Sequence, residues 1–481
     1  MNIDNSLKKL LTTGCDERII FPNGLNYNGY YMNPFNHSGL LSRGSCTCGC
    51  LNAETYNILK NIQINEFEAN FENVVHNHAK ILKDLLYLPG KPDFEIFFAP
   101  SGSHLVYYQL LFSALLYPQN HPVIFLTCPE ELGSGTQIAA HGKHFSNLNQ
   151  FGESILKNSK VSKNIHPKVI MLPARDIKGR IVDNRAKLKQ LILKYKNSPK
   201  VVSLVFGSKS GIEDNLYIID EIESDNSIWT VDLCQFRNKK DLVNNLLSKR
   251  FILLITGSKF YQAPPFCGAL LVPKDICNRL AKCNASQAKD FSNIFSAYDI
   301  PECLPEIRNQ LRNYKNLGLH LRWKCALHEM TEYDKIEEER SYSAILKWNE
   351  FINMTLSKNK YFELMPDMEL TNKTIISFRL KNNGHYFDNS ELKIFFKRVV
   401  SKNHLELGSY EKLFIGQPVK YESGSFLRLA ISSYNVRQFL KNNTTDFKND
   451  SNIIKIIENE IRHAQKNYTP RDIRSFKKSE E

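Results

Sequence analysis

Short apolar runs, each closed by a turn rich in Gly, Ser or Asp, recur through the first two thirds of the chain. FEIFFAP (94–100), VIFLTC (123–128), KVIMLP (168–173), VVSLVFG (201–207), SIWTVDLCQ (227–235), FILLIT (251–256) and GALLVP (268–273) have the length and content of buried strands. Between them, LVYYQLLFSALLY (105–117) is apolar almost all round, as a buried helix is, and AKLKQLILKY (186–195) reads as a second helix. Strands alternating with helices predict an α/β fold, with a mostly parallel sheet in a three-layer αβα domain. Ligands of such sheets bind at the carboxyl ends of the strands. The loops at 101–104, 208–211, 232–235 and 257–260 all fall at those ends.

The flanks differ. Residues 52–85 place Ile58, Leu59, Ile62, Val74, Val75, Ile81, Leu82 and Leu85 at helix spacing. From about residue 310 long helical stretches precede the strand-like runs TIISFRL (374–380) and SFLRLAIS (425–432), which predicts a smaller α+β C-terminal domain. NGLNYNGYYMNPFNHSG (23–39) is dense in turn formers and aromatics. The expected division is therefore an N-terminal arm at 1–50, a large domain at 51–310, a small domain at 311–470 and a polar tail at 471–481. The arm's amides and aromatics, Asn26 among them, are candidates both for lining a pocket and for plain packing.

Composition narrows the class. The formal charge of +13 comes from 63 basic and 50 acidic residues that are scattered along the sequence. A diffuse excess suits an anionic cofactor or substrate, and without a concentrated basic and aromatic stripe it gives nucleic acid little support. No run approaches a membrane span and the first residues lack a signal-peptide core, so a cytoplasmic setting is expected. Eleven thinly spread cysteines fit free thiols in a reducing compartment. Cys46, Cys48 and Cys50 alternate in SCTCGC without a partner pair elsewhere, which favours small packing residues over a metal site.

The chemistry centres on Lys259. It stands between two buried strands in a loop fixed by Gly257, Ser258, Pro264, Pro265 and Gly268. Most lysines are solvated surface residues; one held at a desolvated strand end can attack a carbonyl. SGSH (101–104), between a strand and a helix, offers backbone N–H groups and hydroxyls to an anion, and is equally an ordinary helix cap. Asp232 is open to a helix-capping role, Gln235 to exposure on a helix, and Arg428 to a place on an edge strand.

Together these stretches resemble the pyridoxal-phosphate enzymes of the aspartate aminotransferase fold (fold type I), in the class V aminotransferase and cysteine desulfurase branch. SKFYQAPPFCGALLV resembles the lysine loop, SGSH the phosphate-binding turn, FGSKSG the turn beside the ring, VDLCQ the Asp-x-x-Gln motif and FLRLAISSYN the strand with the carboxylate-binding arginine. The resemblance spans about residues 95–440. It implies pyridoxal 5'-phosphate as cofactor, with Lys259 as the Schiff-base lysine and proton shuttle and Asp232 against the pyridine nitrogen. It further implies Gln235 and Ser208 beside the ring, Gly102, Ser103, His104 and Ser258 around the phosphate, and Arg428 on a substrate carboxylate. The expected activity is aminotransfer on an amino acid or amine. A lyase or desulfurase on the same fold is the alternative, as is a scaffold that has lost catalysis. A homodimer with the site at its interface is implied. Two departures stand out. PEELGSGT (129–136) carries no ring where the branch stacks one on the cofactor, and no cysteine lies in a recognisable mobile loop.

Overall fold

The computed structural model describes residues 3–22, 25, 27–35, 39–44, 49–133, 135–222, 227–235, 237, 240–365, 373–421 and 424–467. Asn26, Cys46, Cys48 and the polar tail lie outside them. The strands, in chain order, are β1 (Leu40–Arg43), β2 (Phe94–Ala99), β3 (Val123–Thr127), β4 (Lys168–Leu172), β5 (Lys200–Val205), β6 (Ser227–Asp232), β7 (Ile252–Thr256), β8 (Gly268–Pro273), β9 (Phe362–Leu364), β10 (Ile375–Asn382), β11 (His385–Tyr386), β12 (Lys412–Tyr421) and β13 (Gly424–Ala430).

Seven of them form one sheet in the order β2-β8-β7-β6-β5-β3-β4. All neighbours are parallel except β8, which runs antiparallel to both β2 and β7. The sheet is buried on both faces because its strands alternate apolar with apolar. In β7, Ile252 and Leu254 join one core with Phe97, Ile124 and Leu126. Leu253 and Ile255 point the other way, into a core with Ile96, Phe125 and Val231. The first core is covered by the helix Gly102–Leu116, whose residues from Ser103 to Leu115 are all buried. The second is covered by the helices Phe71–Leu86, Lys240–Ser248 and Leu317–Asp334. The fold class is thus the mixed α/β architecture expected.

A second, smaller sheet has the order β1-β12-β13-β10-β11, with β9 on β10. It is antiparallel apart from β1, which lies parallel to β12. The early chain therefore contributes regular elements. Its helix Ile3–Leu11 packs into the larger core through Leu7 and Leu11, and β1 extends the smaller sheet.

Register brings the strand ends that matter to one level. Val205 pairs with Asp232 and Asp232 with Leu254, so β5, β6 and β7 finish side by side. Gly268 pairs with both Ala99 and Thr256, which sets the end of β2 beside the end of β7. A Cβ on Gly268 would stand 3.1 Å from the Ser101 carbonyl carbon and 3.2 Å from the Ala99 oxygen. Only glycine lets the start of the buried helix sit this close.

Candidate active site

The helix Gly102–Leu116 begins at Ser101, whose extended backbone and hydroxyl cap it; His104 N–H donates to Ser101 Oγ at 3.4 Å. Gly102 leads directly onto the sheet edge. A Cβ there would come 3.0 Å from Cys234 Sγ and 3.7 Å from Thr256 Cγ2. Ser103 is buried, and its hydroxyl makes no hydrogen bond among the described residues. His104 turns away from this edge. Its Nδ1 lies 2.8 Å from Ser101 Oγ and 4.0 Å from Asp16, and burial pushes the imidazole down to about 4, so it is neutral at pH 7.

Cys234 is the floor on which the parts meet. Its backbone N–H donates to Asp232 Oδ1 at 2.8 Å, which fixes that half-buried carboxylate at the end of β6. Burial and the Asp232 charge push the Cys234 thiol well up, and the Lys259 ammonium acts in the opposite sense. Lys259 is half-buried, three residues beyond β7, and makes no side-chain hydrogen bond or ion pair among the described residues. The start of the buried helix and Asp232 therefore meet at one thiol, and the Lys259 loop leaves the neighbouring strand β7 at the same edge. Gln235 is buried against Gly207, and its Oε1 accepts from Arg237 Nη2 at 3.3 Å. Arg237 itself lies flat over Phe260, 4.4 Å from the ring centre.

The place where a stacking ring was expected is filled by a carboxylate network. Glu131 is buried; its Oε2 accepts from Ser208 Oγ and Ser210 N at 2.8 Å each, and its Oε1 from Ser210 Oγ at 2.6 Å and from the Tyr421 hydroxyl. Ser208 Oγ also accepts from Ile212 N at 2.9 Å. The structure thus commits Ser208 to building its own turn. Ser258 is buried, and burial pushes the thiol of Cys267 up to about 12.

Arg428 is buried on β13 and reaches across to the larger sheet. Nη1 donates to Lys209 O and Nη2 to Gln417 O, both at 3.2 Å, while Nε is buried without a partner. No carboxylate among the described residues pairs with it. A buried guanidinium with a free donor and no counter-ion is suited to an incoming anion.

The early chain forms one wall. Asp16 takes Arg18 in a bidentate pair, Nε and Nη2 each at 2.6 Å, and Arg18 Nη2 also donates to Ser101 Oγ at 3.2 Å. The guanidinium is sandwiched by Phe145 and Phe266, 5.1 and 5.0 Å from its centre. Burial pushes Asp16 up, but the charge and hydrogen bonds of Arg18 outweigh it and bring the carboxyl down to about 2. Behind this pair, buried Arg322 donates to Phe266 O at 2.9 Å, Thr13 O at 2.8 Å and Gly14 O at 3.2 Å, locking the arm to the lysine loop. Asp16, Arg18, Glu131 and Thr256 were not picked out from sequence. Thr256 had a signal, a hydroxyl at a strand end three residues before Lys259, and it donates to Cys234 O at 3.1 Å; Arg18 and Glu131 act through partners remote in the chain. Cys50 is buried and its thiol contacts Gln262.

No protein-family model matches the chain, and no curated protein does. Solved structures do. A phosphoserine aminotransferase from Cytophaga hutchinsonii superposes with a TM-score of 0.52 at 13% identity, over 86% of this chain and all of that one. The ureidoglycine-glyoxylate aminotransferase of Bacillus subtilis gives 0.53 at 12% identity, over 87% and 97%. The cysteine desulfurase CsdA of Escherichia coli gives 0.54 at 12%, over 90% and 95%. The fold is therefore fold type I of the pyridoxal-phosphate enzymes, in the form found in class V aminotransferases and cysteine desulfurases. At these identities the fold is what is shared.

Proposed function

We propose that this chain is a pyridoxal-phosphate-dependent enzyme acting on an amino acid or amine, most simply an aminotransferase. The observation that carries the reading is that Asp232 and the start of the helix Gly102–Leu116 meet at Cys234, at the sheet edge from which the Lys259 loop leaves β7. The residues fit the group. Ser103 is buried at a helix N-terminus suited to a phosphate, and its hydroxyl makes no hydrogen bond among the described residues. Among the described residues Lys259 Nζ pairs with no acid, and Arg428 Nε has no hydrogen-bond partner.

When bound, the cofactor supplies an aldehyde and a ring that accepts electrons from a substrate's α-carbon. The chain's own residues do the rest. Asp232, oriented by the Cys234 N–H, would hold a proton on the ring nitrogen, and Gln235 is the candidate to stand beside the ring. Ser103 and the N–H groups at the start of the helix Gly102–Leu116 would hold the phosphate. Lys259 is the residue that would hold the cofactor, and its Nζ would move the proton at the substrate's α-carbon. Arg428 grips the substrate carboxylate and so sets which bond faces the ring. The arm pair Asp16–Arg18 closes one side against water. By analogy with the fold, the working form is a homodimer.

Desulfurase chemistry is disfavoured by where the described thiols lie. Cys303 is the exposed one among them, and it sits near Glu95 and Lys274, at the opposite end of β2 from the 101–104 turn. Purified protein with added pyridoxal phosphate should turn yellow, and borohydride should fix a pyridoxyl group on Lys259, read by peptide mass spectrometry. K259A should bind the cofactor without the covalent band. A protein that stays colourless with excess cofactor is not such an enzyme. With the band in hand, turnover of an amino acid only when a 2-oxo acid is present separates transamination from lyase chemistry.

A further inference from the structure

The loop after β4 carries a second buried arginine that the reading above does not use. Arg175 is 5% exposed. Its Nη1 donates to Gly179 O at 2.8 Å, and its guanidinium lies 5.6 Å over the Tyr421 ring. Nε and Nη2 are both buried with no hydrogen-bond partner, and no carboxylate among the described residues lies within ion-pair distance. Acids close in the chain or around Tyr421 are engaged elsewhere; Asp176 Oδ2 accepts from Arg180 Nε at 2.8 Å. Glu130 Oε2 accepts from Ala174 N at 3.1 Å, and Glu131 is filled by Ser208, Ser210 and Tyr421.

A guanidinium stays charged at any working pH, so burying it with two empty donors is costly unless an anion completes it. A site that only pinned the loop would need the Gly179 bond and the Tyr421 ring alone. Position argues further. Tyr421, on which Arg175 rests, bonds Glu131; Glu131 bonds both sides of the 208–210 turn; and the carbonyl of that turn's central residue, Lys209, accepts from Arg428. The two partly unfilled guanidinium groups thus flank one turn at the carboxyl edge of the large sheet.

We propose that Arg175 binds a second anionic group, a carboxylate or phosphate on the substrate's side chain, and that the substrate class is accordingly the acidic amino acids. The inference rests on the reading of Arg428 as the α-carboxylate site. It can be tested by calorimetric titration of the full-length protein, with and without pyridoxal phosphate, using glutarate, 3-phosphonopropionate and butyrate. Wild type should bind one of the two dianions at least about tenfold more tightly than butyrate, the gain of one charge-assisted contact. Which dianion wins distinguishes a carboxylate from a phosphate. R175M should erase the preference and leave butyrate binding as it was, whereas R428M should weaken all three. R175K keeps the cation without the fork and should lose part of the preference; it decides the matter where R175M does not fold. A wild type with no preference for a dianion, or a preference that survives in R175M or undiminished in R175K, overturns the proposal. Failure to form the coloured complex would instead remove the cofactor reading, and the titrations without cofactor would still report on Arg175.

Discussion

Asp299 is almost fully buried, and its Oδ2 accepts from Gln150 Nε2 and from Ser296 N, both at 2.8 Å. Burial pushes this carboxyl up to about 7, against the pull of those two hydrogen bonds. The folded state therefore holds a proton that the unfolded chain has already released above its ordinary value of 3.8. Stability from this group is fully present below that value and is lost as pH rises towards 7. Between pH 5 and 8 the loss should be on the order of 2 kcal/mol. Asn at 299 keeps an acceptor oxygen and cannot ionise, so D299N should flatten that slope, measured by urea unfolding at both pH values. Equal slopes in the two proteins would show that Asp299 does not titrate in this window. Asp16 works in the opposite sense. Held down to about 2, it adds stability above its ordinary 3.8 that disappears as pH falls through about 2.

At the level of elements, the site depends on how closely one helix start approaches one strand end. Gly102 leaves 3.0 Å between a would-be Cβ and Cys234 Sγ, tighter than an ordinary contact. G102A should displace the turn and weaken pyridoxal-phosphate binding by about tenfold, in line with the 1–3 kcal/mol of an overpacked contact. C234A removes the colliding sulfur, so G102A/C234A should recover most of the affinity in an absorbance titration. If the double variant binds no better than G102A, the clash lies elsewhere. The same elements mark what was legible in the sequence. β7 could be read because Ile252 to Ile255 are apolar in every position, a pattern that suits a strand covered on both faces. Asp232 and Lys259 stood out because one ends such a strand and the other lies three residues beyond one. β12 could not: KLFIGQPVKY is interrupted by Gly416, Gln417 and Pro418, where the pairing with β13 shifts register. Ser208 and His104 were read as ligands from their motifs, while their side chains here bond Glu131 and Ser101, choices that motif spacing does not encode. Arg18 meets Ser101 across 83 residues of sequence, and no local pattern announces that meeting.

Across the whole molecule, the first 44 residues tie the two sheets together, since the helix Ile3–Leu11 packs with the larger core and β1 joins the smaller sheet. The tie ends in a buried ion pair. Arg43, last residue of β1, donates from Nε and Nη2 to the two oxygens of Asp450 at 2.6 and 2.7 Å, and neither side chain is more than 2% exposed. Asp450 sits near the start of the C-terminal helix Lys448–Asn467 and also accepts from Trp348 Nε1 at 2.9 Å. Breaking such a pair from one side leaves an uncompensated charge in the core, which costs about 3–5 kcal/mol, far more than the pair itself contributes over a neutral substitute. R43M should therefore lower stability by about that amount in urea unfolding. R43M/D450N takes away the stranded charge and still offers Trp348 an acceptor, so it should regain more than half of the loss. A double variant less stable than R43M would mean that Asp450 is needed as a charge in its own right. That outcome would mean that the Asp450 carboxylate acts on the N-terminal end of the helix Lys448–Asn467 without Arg43, and would shift the weight of the tie from the pair to that helix start.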